Sequence, residues 1–124
     1  DPQLLQTVGT DMFRRLDLDI WVRVLMDTIA EDAPDVAVIT DMRFPNEAAA
    51  VLKVGGVPVR VERIDRQTGH VWTAEDRPAN HPSETALDTY DKWAATLTAP
   101  DGALTALRLA ARNTFDVLYA RYAR

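Results

Sequence analysis

Asp41, Arg43, Pro45, Asn46 and Glu47 close an apolar run, so that residues 36–47 read VAVITDMRFPNE. A strand that delivers charge at its carboxyl end is a site signal. In α/β domains ligands sit outside the carboxyl ends of the parallel strands, where the next helix presents free backbone N–H groups. At such an edge Asp41 can coordinate a metal or a water, and Arg43 can hold a phosphate or carboxylate through forked donors. An ion pair stapling the strand to the following helix accounts for the same residues.

Three other polar groups stand out. Gly9-Thr10-Asp11-Met12-Phe13-Arg14 carries Arg14 just ahead of a helical pattern. Arg63, Arg66 and Arg77 flank a long stretch from Asp65 to Asn80 that has no apolar periodicity, and His81-Pro82-Ser83-Glu84 closes it. Phosphoryl transfer suits this collection, because it asks for little covalent chemistry and much placed positive charge. Arginines on a mobile loop can close over a phosphate, and an acidic residue at a strand end can orient magnesium through its water shell. Plainer roles also fit: Arg14 on the surface, solvated loop arginines, and His81 as a turn residue before Pro82. Zinc is a poor fit with no Cys and only His70 and His81. Ser83 lies near His81 but lacks the Gly-flanked turn of a hydrolase nucleophile. Trp21 reads as core with an edge toward a base, and Trp72 as a loop anchor.

The elements that must position these groups follow from the pattern. A segment from Pro2 to Val8 is helix-compatible and breaks at Gly9-Thr10-Asp11. Leu18, Trp21, Val22, Leu25 and Ile29 share one face of a helix of about 14 residues, capped by Asp17 or Asp19 and ended at Ala33-Pro34. Val36 to Thr40 is short, continuous and β-branched, which predicts a strand buried on both faces. Pro45 suits a helical first turn, Glu47 its positive end, and Gly55-Gly56 its stop. Val57 to Val61 is the next strand, completing a strand, helix, strand unit with a right-handed crossover. A loop of the length of Asp65 to Asn80 is functional or disordered. A short helix through Leu87, a third strand from Trp93 to Thr98, a turn at Pro100-Asp101-Gly102 and a last helix from Ala103 to Tyr122 complete the chain.

Size and composition bound the rest. The 124 residues form one domain, long enough to bury a real core, and with no Cys there is no disulfide framework. No apolar run approaches the ~18 residues needed to cross a bilayer and no leader precedes the first helix, so a soluble, non-secreted protein is expected. The chain begins at Asp1 without Met, so its start has been trimmed or lies upstream. A net charge of −5 argues against a broad face for duplex nucleic acid and makes any anion site local. The basic residues are twelve Arg against Lys53 and Lys92, which suits forked phosphate contacts but also follows from a GC-rich genome.

In order and spacing, LLQTVGTDMFR with the later DIW, VITDMRFPNEA, GGVPVRVER and HPSETALD together resemble the bacteriophage-type deoxynucleoside monophosphate kinases of the P-loop kinase superfamily. The likeness covers nearly the whole chain. It implies a three-layer P-loop-kinase-like α/β domain over residues 1–124, with a short, mostly parallel sheet flanked by helices and a lid-like loop at 64–84. It implies further that Arg14, Thr10 and Trp21 belong to the monophosphate-binding region with Glu47, that Asp41 is linked to Mg2+ through water, and that Arg43 holds the transferring group. Arg66 and Arg77 would cover the donor phosphates of ATP, and Ser83 and Glu84 would support the acceptor site. A cytoplasmic place of action, as a phage or prophage protein in its host, goes with the family.

One departure is large. The family's first strand and its GxxxxGK[ST] loop, whose N–H groups and Lys cradle the donor nucleotide, do not occur in this sequence. Gly9 and Gly55-Gly56 lack the spacing and the Lys. Loss of that cradle implies a catalytic deficit of several powers of ten. The missing strand would also leave apolar sheet edges to be covered by a homodimer or a partner chain. Three expectations follow: the carboxyl-terminal part of a kinase completed by a P-loop segment, a degenerate nucleotide- or phosphate-binding protein, or an interaction module that keeps only the fold.

Overall fold

A computed structural model describes residues 7–72 and 81–122. A π-helical segment, Thr7–Met12, runs directly into α1, Phe13–Leu16. The predicted break at Gly9-Thr10-Asp11 is therefore a wide helical turn, which a glycine tolerates at a cost of only about 1 kcal/mol. At Asp17 the backbone turns extended, and its carboxylate accepts from the Asp19 N–H and pairs with Arg23. The Arg23 hydrogen bond, with the Asp19 N–H behind it, holds the Asp17 carboxyl below its usual range. α2, Ile20–Asp32, is the predicted amphipathic helix, although Asp19 sits at its N-cap without a side-chain cap. It ends in a left-handed Ala33, just before Pro34.

The strand expected at Val36 to Thr40 does not form. This segment pairs with no other strand among the described residues, and Val38 is 77% exposed. A strand of five residues has no stability without a neighbour's ladder, and the sheet offers it none. α3, Pro45–Lys53, follows as predicted, with Pro45 in its first turn. Gly55, at φ 81°, stops it, and the Gly56 N–H closes on the Val51 carbonyl at 2.8 Å. A Cβ on Gly56 would meet that oxygen at 2.9 Å, so only glycine fits so tight an exit.

The sheet has two parallel strands, β1 at Val59–Ile64 and β2 at Ala95–Pro100, registered from Val59 opposite Ala95 to Ile64 opposite Pro100. Both begin two residues later than the pattern suggests. Trp93, placed in a strand by that pattern, instead packs edge-on against Tyr90 at 4.7 Å in the connection ahead of β2. The short helix α4, Pro82–Thr85, and the long α5, Leu104–Tyr122, match their predicted places, and α5 packs on β2.

Beyond β1 the chain does not run straight into an irregular loop. Ile64 bridges Val71 antiparallel, and Asp65 accepts from the N–H groups of Gln67 and Thr68 at 2.8 and 2.9 Å and from the Thr68 hydroxyl. The Thr68 and then Gln67 N–H bonds hold the Asp65 carboxyl below its ordinary value of 3.8. A depressed carboxylate stabilises the fold fully above that ordinary value and loses the effect as pH falls through the lower folded one. NMR titration should therefore put the Asp65 midpoint below 3.8, with the Gln67 and Thr68 amide shifts moving in parallel. A midpoint at or above the ordinary value would show that the turn is not formed.

The class is α/β, as expected, but the real core predicted from chain length is not. Among the described residues the buried apolar side chains are Ala48, Leu97 and Ala99, with Pro58. The reason is geometric: α5 packs on β2, while Val61 of β1 and Val38 remain open.

Candidate nucleotide-phosphate site

The charged end of VAVITDMRFPNE is organised by Glu47 in the first turn of α3. Its Oε2 accepts the backbone N–H groups of Arg43 and Phe44 at 2.6 and 2.9 Å, satisfying donors that the helix start leaves unpaired. Its Oε1 meets Arg14 Nη1 at 3.3 Å. Arg14 also donates to Asn46 Oδ1 at 3.0 Å and lies 3.7 Å above the Phe44 ring, with its side chain only 12% exposed. Asn46 in turn donates to Asp19 Oδ1 and to the Leu18 carbonyl. The segment before α2, the tip of α3 and Arg14 are thus one polar knot.

Asp41 and Arg43 stand outside this knot and do not pair with each other. Arg43 Nη1 reaches Glu84 Oε1 at 2.8 Å, joining two segments 41 residues apart, and half of its side chain stays exposed. The expected ion pair stapling the run to the following helix does not form: Arg43 pairs with Glu84 of α4 instead. Asp41 has no hydrogen bond or ion pair among the described residues. It lines a cleft of about 350 Å³ with Trp21, Leu25, Ile39, Glu47 and Val51. Trp21, held edge-on to Phe13 at 5.4 Å, is 42% exposed and lines the same cleft as the Asp41 carboxylate.

The HPSE segment is a capped turn. His81 sits at the N-cap of α4, its Nδ1 accepting from the Ser83 N–H and lying 2.7 Å from Ser83 Oγ. Ser83 is tied to that cap, while Glu84 projects to Arg43. Arg66 lies elsewhere, donating to the Asp101 carbonyl in the turn after β2. Arg63 stacks on Trp72 at 3.5 Å, which makes Trp72 the anchor predicted for that loop. Arg77 and the side chain of Thr10 lie outside the described residues.

Trp21, Asp41 and Glu47 therefore line one cleft, Arg14 joins Glu47 in the knot, Arg43 is tied to Glu47 through its backbone N–H and to Glu84 through its side chain, and Arg66 lies elsewhere. Sequence reasoning left Asn46 and Phe44 without a role. A cluster of polar residues after a strand-like run signals a site, but only the fold shows that Asn46 and Phe44 hold Arg14. Among the described residues no three His, Cys, Asp or Glu side chains converge as a metal cage, and no helix is long and apolar enough to cross a membrane.

No protein-family profile and no solved structure matches the chain. Two curated proteins do. The chain is 38% identical over 89 residues to the deoxynucleoside-5'-monophosphate kinase of Escherichia phage T5, covering 68% of this chain and 34% of that protein. It is 37% identical over 93 residues to the uncharacterized protein ORF77 of Ictalurid herpesvirus 1, covering 73% of this chain and 38% of that protein. The chain spans little more than a third of the length of each. By sequence, then, it is similar to one part of a deoxynucleoside monophosphate kinase.

Proposed function

We propose that this chain is the monophosphate-binding part of a (deoxy)nucleoside monophosphate kinase. Completed by a P-loop segment, it would transfer the γ-phosphoryl group of ATP to a nucleoside monophosphate. The observation that carries the reading is the Arg43–Glu84 pair, which brings the TDMRFPNE and HPSE segments together, while Asp41 and Glu47 of the first segment line a cleft of about 350 Å³. The kinase name of the phage T5 relative supports it.

In this reading Trp21 offers the flat apolar face on which a base stacks. Arg43, half exposed and rich in unused donors, holds the acceptor phosphate and, as charge develops, the transferring group. Glu47 fixes the backbone at Arg43 and Phe44, so that the guanidinium starts from a set position. Arg14 supports that geometry from behind, and Ser83 with Glu84 positions the other side. Asp41, exposed and unpaired, fits a hard cation held through water, since Mg2+ binds by one or two carboxylates and keeps most of its waters. When bound, Mg2+ neutralises charge on the donor phosphates. In the transfer an oxygen of the monophosphate forms the new bond to the γ-phosphorus, and the bond to the β-phosphate oxygen breaks. The products are ADP and a nucleoside diphosphate. The family resemblance would give Arg66 and Arg77 to a lid over the donor, which requires Arg66 to leave the Asp101 carbonyl.

A second reading rests on the sequence itself, which holds no GxxxxGK[ST] loop. The 124 residues alone bind a nucleotide without transferring phosphate. One assay decides between the readings: each deoxynucleoside monophosphate with magnesium and ATP, for this chain and for a version joined to a P-loop segment. The expected result is turnover only in the joined protein. Turnover in neither, with no thermal shift by any monophosphate, would remove both.

A further inference from the structure

Residues 81–93, from α4 to the entry of β2, form a strap held near both ends. At the β2 end the Ala94 N–H donates to the Pro58 carbonyl at 2.8 Å. In between the chain is coiled on itself, with the N–H groups of Asp88 and Tyr90 reaching the carbonyls of Thr85 and Leu87 at 3.0 and 3.1 Å. Among the described residues α4 packs extensively on no other helix or strand. A side-chain contact ties it to the segment before α3, where Arg43 Nη1 donates to Glu84 Oε1 at 2.8 Å. This closed position has a cost. Tyr90 Oη and Trp93 Nε1 are buried with no hydrogen-bond partner among the described residues, and a buried donor left unpaired forfeits the bonds it would make to water. The two rings meet edge-on at 4.7 Å, so both groups are enclosed in one place on the strap.

We infer that the Arg43–Glu84 pair is a latch released by phosphate: a phosphate taken by the Arg43 guanidinium displaces Glu84, and the strap lifts, carrying Tyr90 Oη and Trp93 Nε1 into water. The inference rests on the proposed reading of Arg43 as an anion site and concerns its regulation. Glu84 and a phosphate compete for the same planar set of donors, and the phosphate brings the greater charge and more acceptor oxygens. The pair is partly exposed, so a ligand can reach it, and pairs of this kind are weak enough to be exchanged. Release then carries two compensations. Glu84 returns to water as a solvated carboxylate, and the two enclosed donors gain the bonds they lack. The coupling is reciprocal: phosphate sets the position of the strap, and the strap sets the affinity of Arg43 for phosphate. In the empty site Glu84 thus stands in for the ligand's own anion.

NMR on the isotope-labelled 124-residue chain tests it, with inorganic phosphate and dCMP as probes. Sodium chloride at equal ionic strength is the control, because salt alone screens an exposed pair. Arg43 Nε–H reports binding, the Glu84 amide reports the latch, and hydrogen exchange at Trp93 Nε1 reports the strap. The Thr96 and Thr98 amides, opposite Arg60 and Glu62 in the ladder, report that the sheet stays folded. The expected result is that saturating dCMP shifts Arg43 and Glu84 together and speeds exchange at Trp93 Nε1 by about fivefold, the equilibrium shift of a weak exposed pair. Sodium chloride does not reproduce it, and Thr96 and Thr98 are unchanged. In E84A the fast exchange at Trp93 is present before any ligand is added, and dCMP adds nothing further. A shift at Arg43 with Glu84 and Trp93 unmoved would overturn the latch and leave the kinase reading standing. Slow exchange at Trp93 in E84A would overturn the latch in the same way. No shift at Arg43 with either probe would remove the anion site of the kinase reading, and the phosphate trigger with it.

Discussion

Glu47→Gln is expected to lower the unfolding free energy by about 2–3 kcal/mol, close to the loss on Glu47→Ala, since hydrogen bonds to a charged group contribute about 1.5–3 kcal/mol. The carboxylate is acceptor only, and it serves the Arg43 and Phe44 N–H groups on one oxygen and Arg14 on the other. A glutamine places one acceptor and one donor where two acceptors are needed. Its NH2 group must then face either the Arg14 guanidinium or the backbone donors of the helix start. The favourable placement of an anion in the first turn of α3 is lost as well. Urea midpoints at an unchanged slope measure the effect. A change within about 0.5 kcal/mol, the size of an ordinary surface substitution, would show that Glu47 is not the organiser of this region.

Arg43→Ala is expected to weaken deoxynucleoside monophosphate binding by one to two powers of ten, the 1.5–3 kcal/mol of a charge-assisted contact, while leaving the fold nearly intact. Folding survives because the Arg43–Glu84 pair is exposed at 50% and 31%, and such pairs contribute 0–1 kcal/mol. Binding suffers because among the described residues Arg14 is engaged by Glu47, Asn46 and Phe44, and Arg66 by Asp101. The same geometry predicts an effect of opposite sign. Glu84 competes with a phosphate for one guanidinium, so Glu84→Gln should tighten monophosphate binding or leave it unchanged. Isothermal titration of both variants reads the result. Equal affinity in wild type and Arg43→Ala would detach Arg43 from the site, and a tenfold loss in Glu84→Gln would make Glu84 a ligand contact and not a competitor.

The helices were legible from local pattern because their causes are local. Pro45 at the start of α3, Glu47 three residues after Phe44, Gly55 at its end, and the Asp101-Gly102 turn before α5 all act within one or two turns. The strands were legible only as apolar runs. Val36 to Thr40 has the composition of a buried strand, yet pairing is a property of two segments, and among the described residues no neighbouring strand gives it a ladder. Trp93 illustrates the same limit, since its place in the ladder was taken by residues two positions later when it packed on Tyr90.

For the site, the sequence by itself determined which groups are available: a carboxylate at the end of an apolar run, Asp41, one arginine after it, and an HPSE segment. Their types limit the chemistry to anion and hard-cation handling, because charge and donor geometry belong to the side chain. Only the tertiary structure decided their employment. It turned Arg14 into a strut under Phe44, sent Arg66 to the Asp101 carbonyl, and set Arg43 against Glu84 across 41 residues. An arginine's reach is several bonds long, so its partner depends on what the fold brings within that radius, and no spacing in the chain encodes it.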